Sequence, residues 1–313
     1  MRAMLIANPK ATSTSRRARD TLVRAFAGDL DLVLAETGHR GHATELAREA
    51  VRRGFDVVIA LGGDGTVNEA VNGLLADGPG DGLPALAVLP SGSANVFARA
   101  LGLPGDALGA TRAVLEALRA GRYRTVGLGT ASLPDGGERY FTFCAGVGVD
   151  AEVVREVERR RRAGLRADPS LYVRTALRHL ATGTDRRRPA LTIETPGRPP
   201  IPGVFFAFVS NTTPWTFLGP LPLNPSPRAS FTLGLDVFGM RSMALRPFAF
   251  AAAQMLAPRD RPVRGSRVVD VHDAAEVTVR AERPMAFQLD GDYLGEQSAI
   301  TFRSVPKAIR IVI

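Results

Sequence analysis

The sequence predicts two domains: an N-terminal α/β domain with a doubly wound parallel sheet, and a C-terminal antiparallel β domain. Three observations favour this fold class. The 313 residues are 45% hydrophobic, which is enough apolar material for two packed cores. Up to about residue 125, apolar strands alternate with helical stretches, as in a parallel sheet. Beyond Arg122, apolar runs are separated by turns rich in glycine and proline, which favours antiparallel pairing.

The predicted N-terminal elements alternate regularly. Strands are expected at residues 3–7, 30–35, 56–61 and 85–89. Helices are expected at residues 15–27, 42–53, 67–75, 96–101 and 107–120. Because a strand, a crossover helix and the next strand nearly always form a right-handed parallel unit, this order predicts a parallel sheet covered by helices.

The predicted C-terminal domain is richer in strands. They are expected at residues 127–133, 139–145, 190–194, 204–209, 231–237, 267–271, 276–281, 285–289 and 299–303. Helices are expected near residues 151–162, 171–181 and 248–256. We therefore predict domains at residues 1–127 and 128–305, with a final strand at 306–313 that can pack on either domain.

Charge and composition narrow the class of protein. Lysine and arginine number 40 against 31 aspartate and glutamate residues, a net charge of +9. Either arginine-rich codon usage explains this excess, or the surface meets an anionic partner such as phospholipid, nucleotide or nucleic acid. The single cysteine, Cys144, excludes a disulfide framework. Since the apolar start ends at Asn8 and no run of about 18 apolar residues follows, we expect a soluble, cytoplasmic protein.

The sharpest local motif is GGDGT at residues 62–66, directly after the predicted strand that ends at Leu61. Glycines let the backbone turn tightly and bring amide N–H groups close to a ligand. Thr66 and Glu69 fit a capping box, with Thr66 as the N-cap of the next helix. A helix that begins beside such a turn favours a bound phosphate, although a plain turn between strand and helix has the same pattern.

Two further turns occupy equivalent places in the chain. The segment PSGSAN at residues 90–95 follows the strand at 85–89, and Thr37-Gly38 follows an earlier strand. Ser93 either contacts a ligand or only caps the helix that follows. Because the carboxyl ends of parallel strands share one edge of the sheet, the three turns together predict a crevice of nucleotide size.

Taken together, these motifs resemble those of the bacterial diacylglycerol-kinase-like lipid kinases. The resemblance rests on GGDGTVN at 62–68, PSGSANVFAR at 90–99 and a late DGD at 290–292. Asn8-Pro9 and AGVGVD at 145–150 are smaller matches, so the similarity runs in order over nearly the whole chain. The glycine–aspartate motif is shared with NAD kinases and phosphofructokinases, and by itself it identifies only that superfamily.

The resemblance implies an ATP-dependent kinase whose N-terminal α/β domain binds the nucleotide and whose C-terminal domain, an antiparallel β-sandwich, binds a lipid acceptor. Diacylglycerol is the default acceptor, and a sphingoid base, a ceramide, a polyprenol or a glycolipid would make the same demands on the site. Mg²⁺ carried by ATP would screen the phosphates, and Asp64 is the protein group expected near that ion. The family's nucleotide-binding positions fall here on Thr37, Gly62, Gly63, Asp64, Gly65, Thr66, Val67, Asn68 and Ser93.

The catalytic base of the family, a glutamate, corresponds to Asp292. Aspartate supports the same proton transfer, but its carboxylate is drawn back by roughly 1 Å. Asp290 or Glu296 could stand in for it, and Asp-Gly at this place also makes an ordinary hairpin turn. Asp292 and Asp64 are therefore the predicted catalytic carboxylates.

A second departure from the family concerns an accessory Mg²⁺ that relatives hold through an Asp-Gly-Leu segment. The corresponding stretch at residues 231–235 has leucine in the aspartate's place. Because Mg²⁺ requires oxygen ligands, we expect this accessory site to be absent or rebuilt.

The expected partners are ATP, a lipid acceptor and an anionic membrane surface, which would place the protein at the inner face of the membrane. Basic runs at 159–162 and 186–188 are either solvated faces or the contact with that surface. Trp215, Phe217 and Leu218 either line an acyl-chain entrance or pack in the core. An exposed strand edge could pair two copies into a homodimer. We expect no nucleic-acid partner.

Three other residues are expected to be structural. Cys144 lies in an apolar strand and should be buried. His39 and His42 lack an acidic or cysteine partner at a suitable spacing, so we expect them to begin a helix rather than to bind a metal ion.

Two other functions remain open. One is a kinase for a soluble acceptor such as NAD, with Asp64 as the base. The other is a non-enzymatic relative that binds nucleotide or lipid, which is motivated by the aspartate at position 292 and by the missing aspartate of the accessory metal segment.

Overall fold

The computed structural model describes residues 1–9, 16–133, 136–162, 174–175, 178, 188–218, 221–257 and 261–313. It divides the chain into two units: Met1–Gly127 together with Lys307–Ile313, and Leu128–Pro306. Most of the helix predicted at 171–181, and residues 186 and 187 of one basic run, lie outside the described residues. No helix in the described part of the chain is both long and apolar enough to span a membrane.

The first unit contains a parallel sheet covered by helices. Its elements are β1 (Arg2–Ala7), α1 (Arg16–Ala27), β2 (Asp31–Glu36), α2 (His42–Arg52), β3 (Val57–Gly62), α3 (Asp64–Leu74), β4 (Ala85–Pro90), α4 (Val96–Ala100) and α5 (Ala107–Arg119). The strand order is β4-β3-β1-β2, and all three pairings are parallel. In the register, Leu5 pairs with Ile59, which pairs with Ala87. The predicted doubly wound α/β domain is confirmed.

Burial explains why the central strands form. Every residue of β3 and of β4 is buried, as expected for parallel strands covered by helices on both faces. Helix α5 packs Ala110 and Val114 against the same core. The end of the chain adds another strand to this sheet, because Ile311 pairs with Leu86 in parallel.

The second unit is built mainly from antiparallel strands. Its elements are β5 (Tyr123–Ser132, which begins in the first unit), β6 (Glu138–Phe141), β7 (Cys144–Val147), α6 (Val149–Arg162), β8 (Leu191–Glu194), β9 (Ile201–Val204), β10 (Phe206–Ser210), β11 (Thr216–Leu218), β12 (Leu221–Leu223), β13 (Leu235–Met240), α7 (Leu245–Leu256), β14 (Val268–Ala274), β15 (Glu276–Leu289) and β16 (Asp292–Val312, which ends in the first unit). The main path is β14-β13-β10-β7-β15-β16. The predicted antiparallel, strand-rich C-terminal region is confirmed.

The last strands are longer than predicted. The runs at 276–281 and 285–289 form the single strand β15, with a register shift between Arg280 and Met285, a stretch that contains Pro284, and another between Ala286 and Gln288. Proline has no N–H to donate, and such an irregularity tolerates it without the loss of a ladder hydrogen bond. In the same way, the runs at 299–303 and 306–313 belong to one strand, β16.

Gly73 lies in α3 at the contact with α2. A Cβ at this position would clash with the carbonyl oxygen of Thr44 and would lie 2.7 Å from the Cβ of Ala47. We therefore expect Gly73→Ala to lower the free energy of unfolding by about 1–3 kcal/mol, measured by urea denaturation.

The matched control is Gly65→Ala in the same helix, because nothing lies within 4 Å of a Cβ built there. Alanine is the better helix former, so this variant should keep or slightly raise the stability. Equal losses in both variants would contradict the packing explanation.

Candidate functional site

Four loops of the first unit lie at the carboxyl ends of its parallel strands. Asn8 follows β1, Thr37 follows β2, Gly62 ends β3 and Ser91 follows β4. The amide of Thr37 donates to the carbonyl oxygen of Ala7 over 2.9 Å, which holds the second loop beside the first. In the strand order β4-β3-β1-β2, the direction of winding reverses between β1 and β3. Open α/β sheets bind ligands outside the carboxyl ends at such a switch point.

The loops after β3 and β4 touch through glycine backbones. A Cβ on Gly92 would lie 2.6 Å from the Cα of Gly63, and a Cβ on Gly63 would lie 3.1 Å from the Cα of Gly92. The amide of Ser91 donates to the carbonyl oxygen of Gly62 over 2.9 Å. Because no side chain fits between these glycines, peptide groups alone form the contact.

Asp64 joins the two loops through its carboxylate. One oxygen accepts a hydrogen bond from the amide of Val96 at 3.1 Å, and the other accepts from Phe97 at 3.2 Å. These are first-turn amides of α4, which have no acceptor within their own helix. Asp64 therefore caps α4 from the loop after β3, a bracing role that its position in the sequence did not reveal.

The predicted capping box at Thr66 and Glu69 is wrong. Helix α3 already begins at Asp64, so Thr66 lies inside its first turn, where its hydroxyl accepts a hydrogen bond from the side chain of Asn8 at 3.3 Å. The carboxylate of Glu69 accepts from the amides of Gly41 at 2.9 Å and Ala43 at 3.1 Å. Glu69 thus caps α2 instead of its own helix.

Ser93 does not cap α4 either. The N-cap is Asn95, whose left-handed backbone (φ 48°) turns the loop and whose side-chain amide bonds both the N–H and the carbonyl oxygen of Gly92 at 2.9 Å. The side chain of Ser93 is left exposed, whereas Val67 and Asn68 are buried in α3. The predicted contacts of these three residues with a nucleotide stay predictions.

In the second unit, Asp290 forms the centre of a buried turn. Its carboxylate accepts hydrogen bonds from the amides of Thr142 (2.6 Å), Phe143 (3.0 Å) and Cys144 (3.1 Å) and from the hydroxyl of Thr142 (2.8 Å). Burial raises the pKa of Asp290, and these donors act in the opposite direction. Asp290 therefore holds the segment at 142–144, which argues against it as the substitute base.

Asp292 lies two residues further, beyond the tight turn between β15 and β16. Asp290 and Gly291 both have positive φ (47° and 82°), as a two-residue hairpin requires. The carboxylate of Asp292 is 25% exposed and meets the guanidinium of Arg139 at 2.9 Å. Glu296 pairs instead with Arg155 at 2.9 Å. Asp292 and Glu296 thus each have an arginine partner and reach solvent, and Asp292 is the one that directly follows the turn.

Sequence patterns did not reveal a half-buried carboxyl group, that of Asp150 at the start of α6. Gln288 donates to its Oδ2 at 2.7 Å and also accepts from the amide of Gly291 at 2.8 Å. Burial raises the pKa of Asp150 to about 7, and the hydrogen bond from Gln288 opposes the shift. A Cβ on Gly146 would clash with this carboxylate. The segment AGVGVD at 145–150 was the sequence feature that could have revealed this group, since Gly146 leaves room for the side chain of Asp150.

The structure corrects one premise about His39 and His42, namely that they lack an acidic partner. Their rings stack at 4.7 Å with an interplanar angle of 11°, and one ligand atom from each, together with a carboxylate oxygen of Glu45, lies within 4.8 Å of the others. Glu45 is one helical turn beyond His42, so an acidic partner does exist. However, Nδ1 of His42 already accepts the N–H of Gly38 at 2.9 Å, and parallel rings do not aim their lone pairs at one point.

The remaining predictions concern Cys144, the segment at Trp215 to Leu218 and the accessory metal site. Cys144 is buried, as expected. Trp215 stacks on Phe208 at 4.5 Å and 16°, which favours core packing for that residue, while the side chain of Leu218 lies outside the described residues. Near the accessory metal segment, the carboxylate of Asp273 accepts the N–H of Gly234 at 2.6 Å. The expectation about that metal site stays a prediction.

Comparison with known proteins agrees with this geometry. The family model "Diacylglycerol kinase catalytic domain" matches residues 2–131. This part of the chain is thus similar to the catalytic domain of that family. A diacylglycerol kinase of Bacillus subtilis (strain 168) is 58% identical over 64 residues, 20% of each chain. One from Staphylococcus haemolyticus (strain JCSC1435) is 37% identical over 116 residues, 36% of this chain and 34% of the relative. The chain thus aligns with only about a fifth to a third of the length of these curated relatives.

Solved structures share the fold over nearly the whole chain. A crystal structure of a diacylglycerol kinase from Bacillus anthracis str. Sterne has a TM-score of 0.71 at 20% identity, covering 99% of this chain and 96% of the other. An NAD kinase from Archaeoglobus fulgidus, in complex with ATP, has a TM-score of 0.52 at 11% identity, covering 100% and 94%. At these identities the likeness shows the fold alone.

Asp150 leads to a specific pH dependence of stability. Its pKa is about 7 in the folded protein, against an ordinary value of 3.8. The folded state therefore keeps a proton that the unfolded state releases above about pH 4, so stability falls as the pH rises from about 4 to about 7 and then levels off. Asp150→Asn cannot ionise and should remove this part of the slope, about 1.4 kcal/mol per pKa unit.

Urea unfolding of both proteins at several pH values across this window measures the effect. Asp81→Asn, in an exposed loop, is the control and should follow the wild type. If the Asp150→Asn curve runs parallel to that of the wild type, the carboxyl group does not hold the proton.

Proposed function

We propose that the protein is an ATP-dependent lipid kinase that transfers the γ-phosphoryl group to a lipid hydroxyl, with diacylglycerol as the first candidate acceptor and phosphatidic acid as its product. The family match over residues 2–131 supports this reading. The observation that carries it is the glycine contact between Gly63 and Gly92, braced by Asp64. Two loops whose facing surfaces are peptide groups suit a chain of phosphates.

The phosphates would bind at the beginning of α3. The first amides of a helix point outward with no intrahelical acceptor, and the helix dipole adds positive potential there. Gly63 and Asp64 are half-buried and Gly65 is exposed, so this part of the motif can be reached from solvent.

The residues present fit Mg²⁺ carried by ATP. Magnesium prefers oxygen ligands, often one carboxylate together with water and phosphate oxygens, and Asp64 supplies a carboxylate at the loops. When bound, the ion would screen the charge of the β- and γ-phosphates. The task of Asp64 itself is to hold the two loops in register and to present its carboxylate to that ion.

Asp292 would take the proton of the acceptor hydroxyl as its oxygen attacks the γ-phosphorus. The O–H bond breaks as the new P–O bond forms, and ADP leaves with the electron pair of the old bond. A base for this step must reach solvent or substrate and be held in place. The partial exposure of Asp292 and its ion pair with Arg139 meet both conditions.

Two alternatives define the other outcomes of the test. A kinase for NAD would share the glycine–aspartate motif and the fold, and it would use Asp64 as the base. A non-catalytic relative would bind nucleotide or lipid without turnover.

We expect Gly92→Ala to weaken the binding of Mg·ATP by about tenfold to a hundredfold, because its methyl group forces the two loops apart. Isothermal titration calorimetry measures the affinity. Gly105→Ala, in an exposed turn with nothing within 4 Å of the new Cβ, should bind as the wild type does. Unchanged affinity in Gly92→Ala would place the nucleotide elsewhere.

The transfer step is tested with γ-labelled ATP, Mg²⁺ and mixed micelles that contain diacylglycerol, ceramide, sphingosine or polyprenol, with NAD as the soluble acceptor. We expect label in one lipid, and a rate about 10²–10⁴ times lower in Asp292→Asn. Asp81→Asn should keep the wild-type rate. Label in NAD, with only Asp64→Asn inactive, would favour the soluble-acceptor kinase. ATP binding without labelled product would favour the non-catalytic relative.

A further inference from the structure

Helix α7 has an apolar face that no other described residue covers. Leu245 is 74% exposed, Phe250 is 62% exposed and Leu256 is 40% exposed. Ala249 and Ala253 are also exposed. At 100° per residue, these five positions fall within one arc of about 140° on the helix.

The opposite face of α7 fixes how the helix lies. Ala251 and Met255 are buried in a cluster with Phe206 and Val263, and Phe248 packs against the same cluster. The helix is therefore packed against the unit on one side, and its other side is exposed. The outer side of such a helix usually carries polar residues, whereas here it carries apolar ones.

The sequence around α7 is rich in arginine. Between residues 241 and 269 the sequence contains six arginines and one acidic residue, Asp260. The following five are exposed, and within the described part of the chain none of their guanidinium groups pairs with a carboxylate: Arg241, Arg246, Arg261, Arg264 and Arg267. Asp270, which follows them, is paired with Arg228 at 2.8 Å.

Hydrogen bonds place part of this basic segment against the helix. The side-chain amide of Gln254 donates to the carbonyl oxygen of Arg264 at 2.8 Å and accepts its N–H at 3.0 Å. Gln254 lies one turn beyond Phe250, so this arginine flanks the apolar face. The amide of Arg241 donates to the carbonyl oxygen of Arg267 at 2.8 Å, which brings these two arginines together near the beginning of α7.

The basic run on α6 differs in this respect. Arg159 and Arg160 both pair with Glu156 at 2.8 and 2.9 Å, and their hydrogen bonds lower the pKa of Glu156 to about 2. These two arginines share one carboxylate, and the side chains of Arg161 and Arg162 lie outside the described residues. The five arginines around α7 have no carboxylate partner among the described residues, which leaves their full charge for a partner.

We propose that this face of α7 docks on the surface of an anionic phospholipid bilayer. Leu245, Phe250 and Leu256 would enter the boundary between headgroups and acyl chains, while the surrounding arginines bind lipid phosphates. Arg246, which is on the exposed face itself, can extend its guanidinium toward the headgroups. The proposal deepens the proposed function, on which it rests for the choice of a lipid surface as the partner.

The test is sedimentation with vesicles of phosphatidylcholine containing about 30% phosphatidylglycerol, without ATP. We expect the wild type to bind them and to bind pure phosphatidylcholine at least tenfold more weakly. Leu245→Ser/Phe250→Ser should lose tenfold or more in affinity for the anionic vesicles. Arg261→Gln/Arg264→Gln/Arg267→Gln should lose a similar factor, and salt should weaken the wild type but not this variant to the same degree.

The control is Leu108→Ser/Arg112→Gln, which removes an exposed leucine and an exposed arginine from α5. It should bind as the wild type does. A second measurement uses Phe250→Trp, whose fluorescence should be quenched by brominated lipid more than that of the wild type, where Trp215 is the only tryptophan.

The proposal is overturned if the wild type ignores anionic vesicles, or if the two α7 variants bind them like the control. It is also overturned if gel filtration shows a dimer that Leu245→Ser/Phe250→Ser dissociates, because a second copy would then cover the face. Short-chain diacylglycerol in monomeric form separates this question from catalysis, since the serine variant should phosphorylate it at the wild-type rate. Vesicle binding that depends on α7, with no phosphorylation of any lipid, would keep the docking surface and reject the kinase.

Discussion

The contact between Gly63 and Gly92 is the constraint on which the site of the first unit depends. Neither residue can carry a Cβ without pushing the loops after β3 and β4 apart. Once the loops touch, the carboxylate of Asp64 reaches the amides of Val96 and Phe97 and caps α4. A glycine contact and one carboxylate thereby align two loops and two helix ends, and only peptide groups form the contact between the loops.

At the turn between β15 and β16, Asp290 and Asp292 have different roles. Asp290 uses its whole carboxylate to hold buried amides and a hydroxyl, and this makes the turn rigid. Asp292 can then stay partly exposed, oriented by Arg139. Gln288 joins the turn to the half-buried Asp150 on α6. A carboxylate fixed in this way loses little orientation freedom when a substrate arrives, which is what a general base requires.

The arginine-rich composition has two different consequences in the folded chain. On α6, Arg159 and Arg160 form ion pairs with Glu156 of the same helix. Around α7, arginines surround exposed leucine and phenylalanine side chains without acidic partners among the described residues. The same residue type thus pairs within one helix and stays without a carboxylate partner around the other, and this second arrangement suits an anionic surface.

The sequence by itself determined the order of strands and helices in the first unit and the places of its glycine turns, because these depend on local periodicity and on backbone freedom. It also determined the hairpin at Asp290. Only the tertiary structure decided that Glu69 caps a different helix, that Asp290 is enclosed and that Asp150 holds a perturbed carboxyl group. The partners of these side chains lie 28, 148 and 138 residues away, at Gly41, Thr142 and Gln288. Local spacing carries no information about such partners, since burial and hydrogen bonding over that separation exist only after the chain has folded.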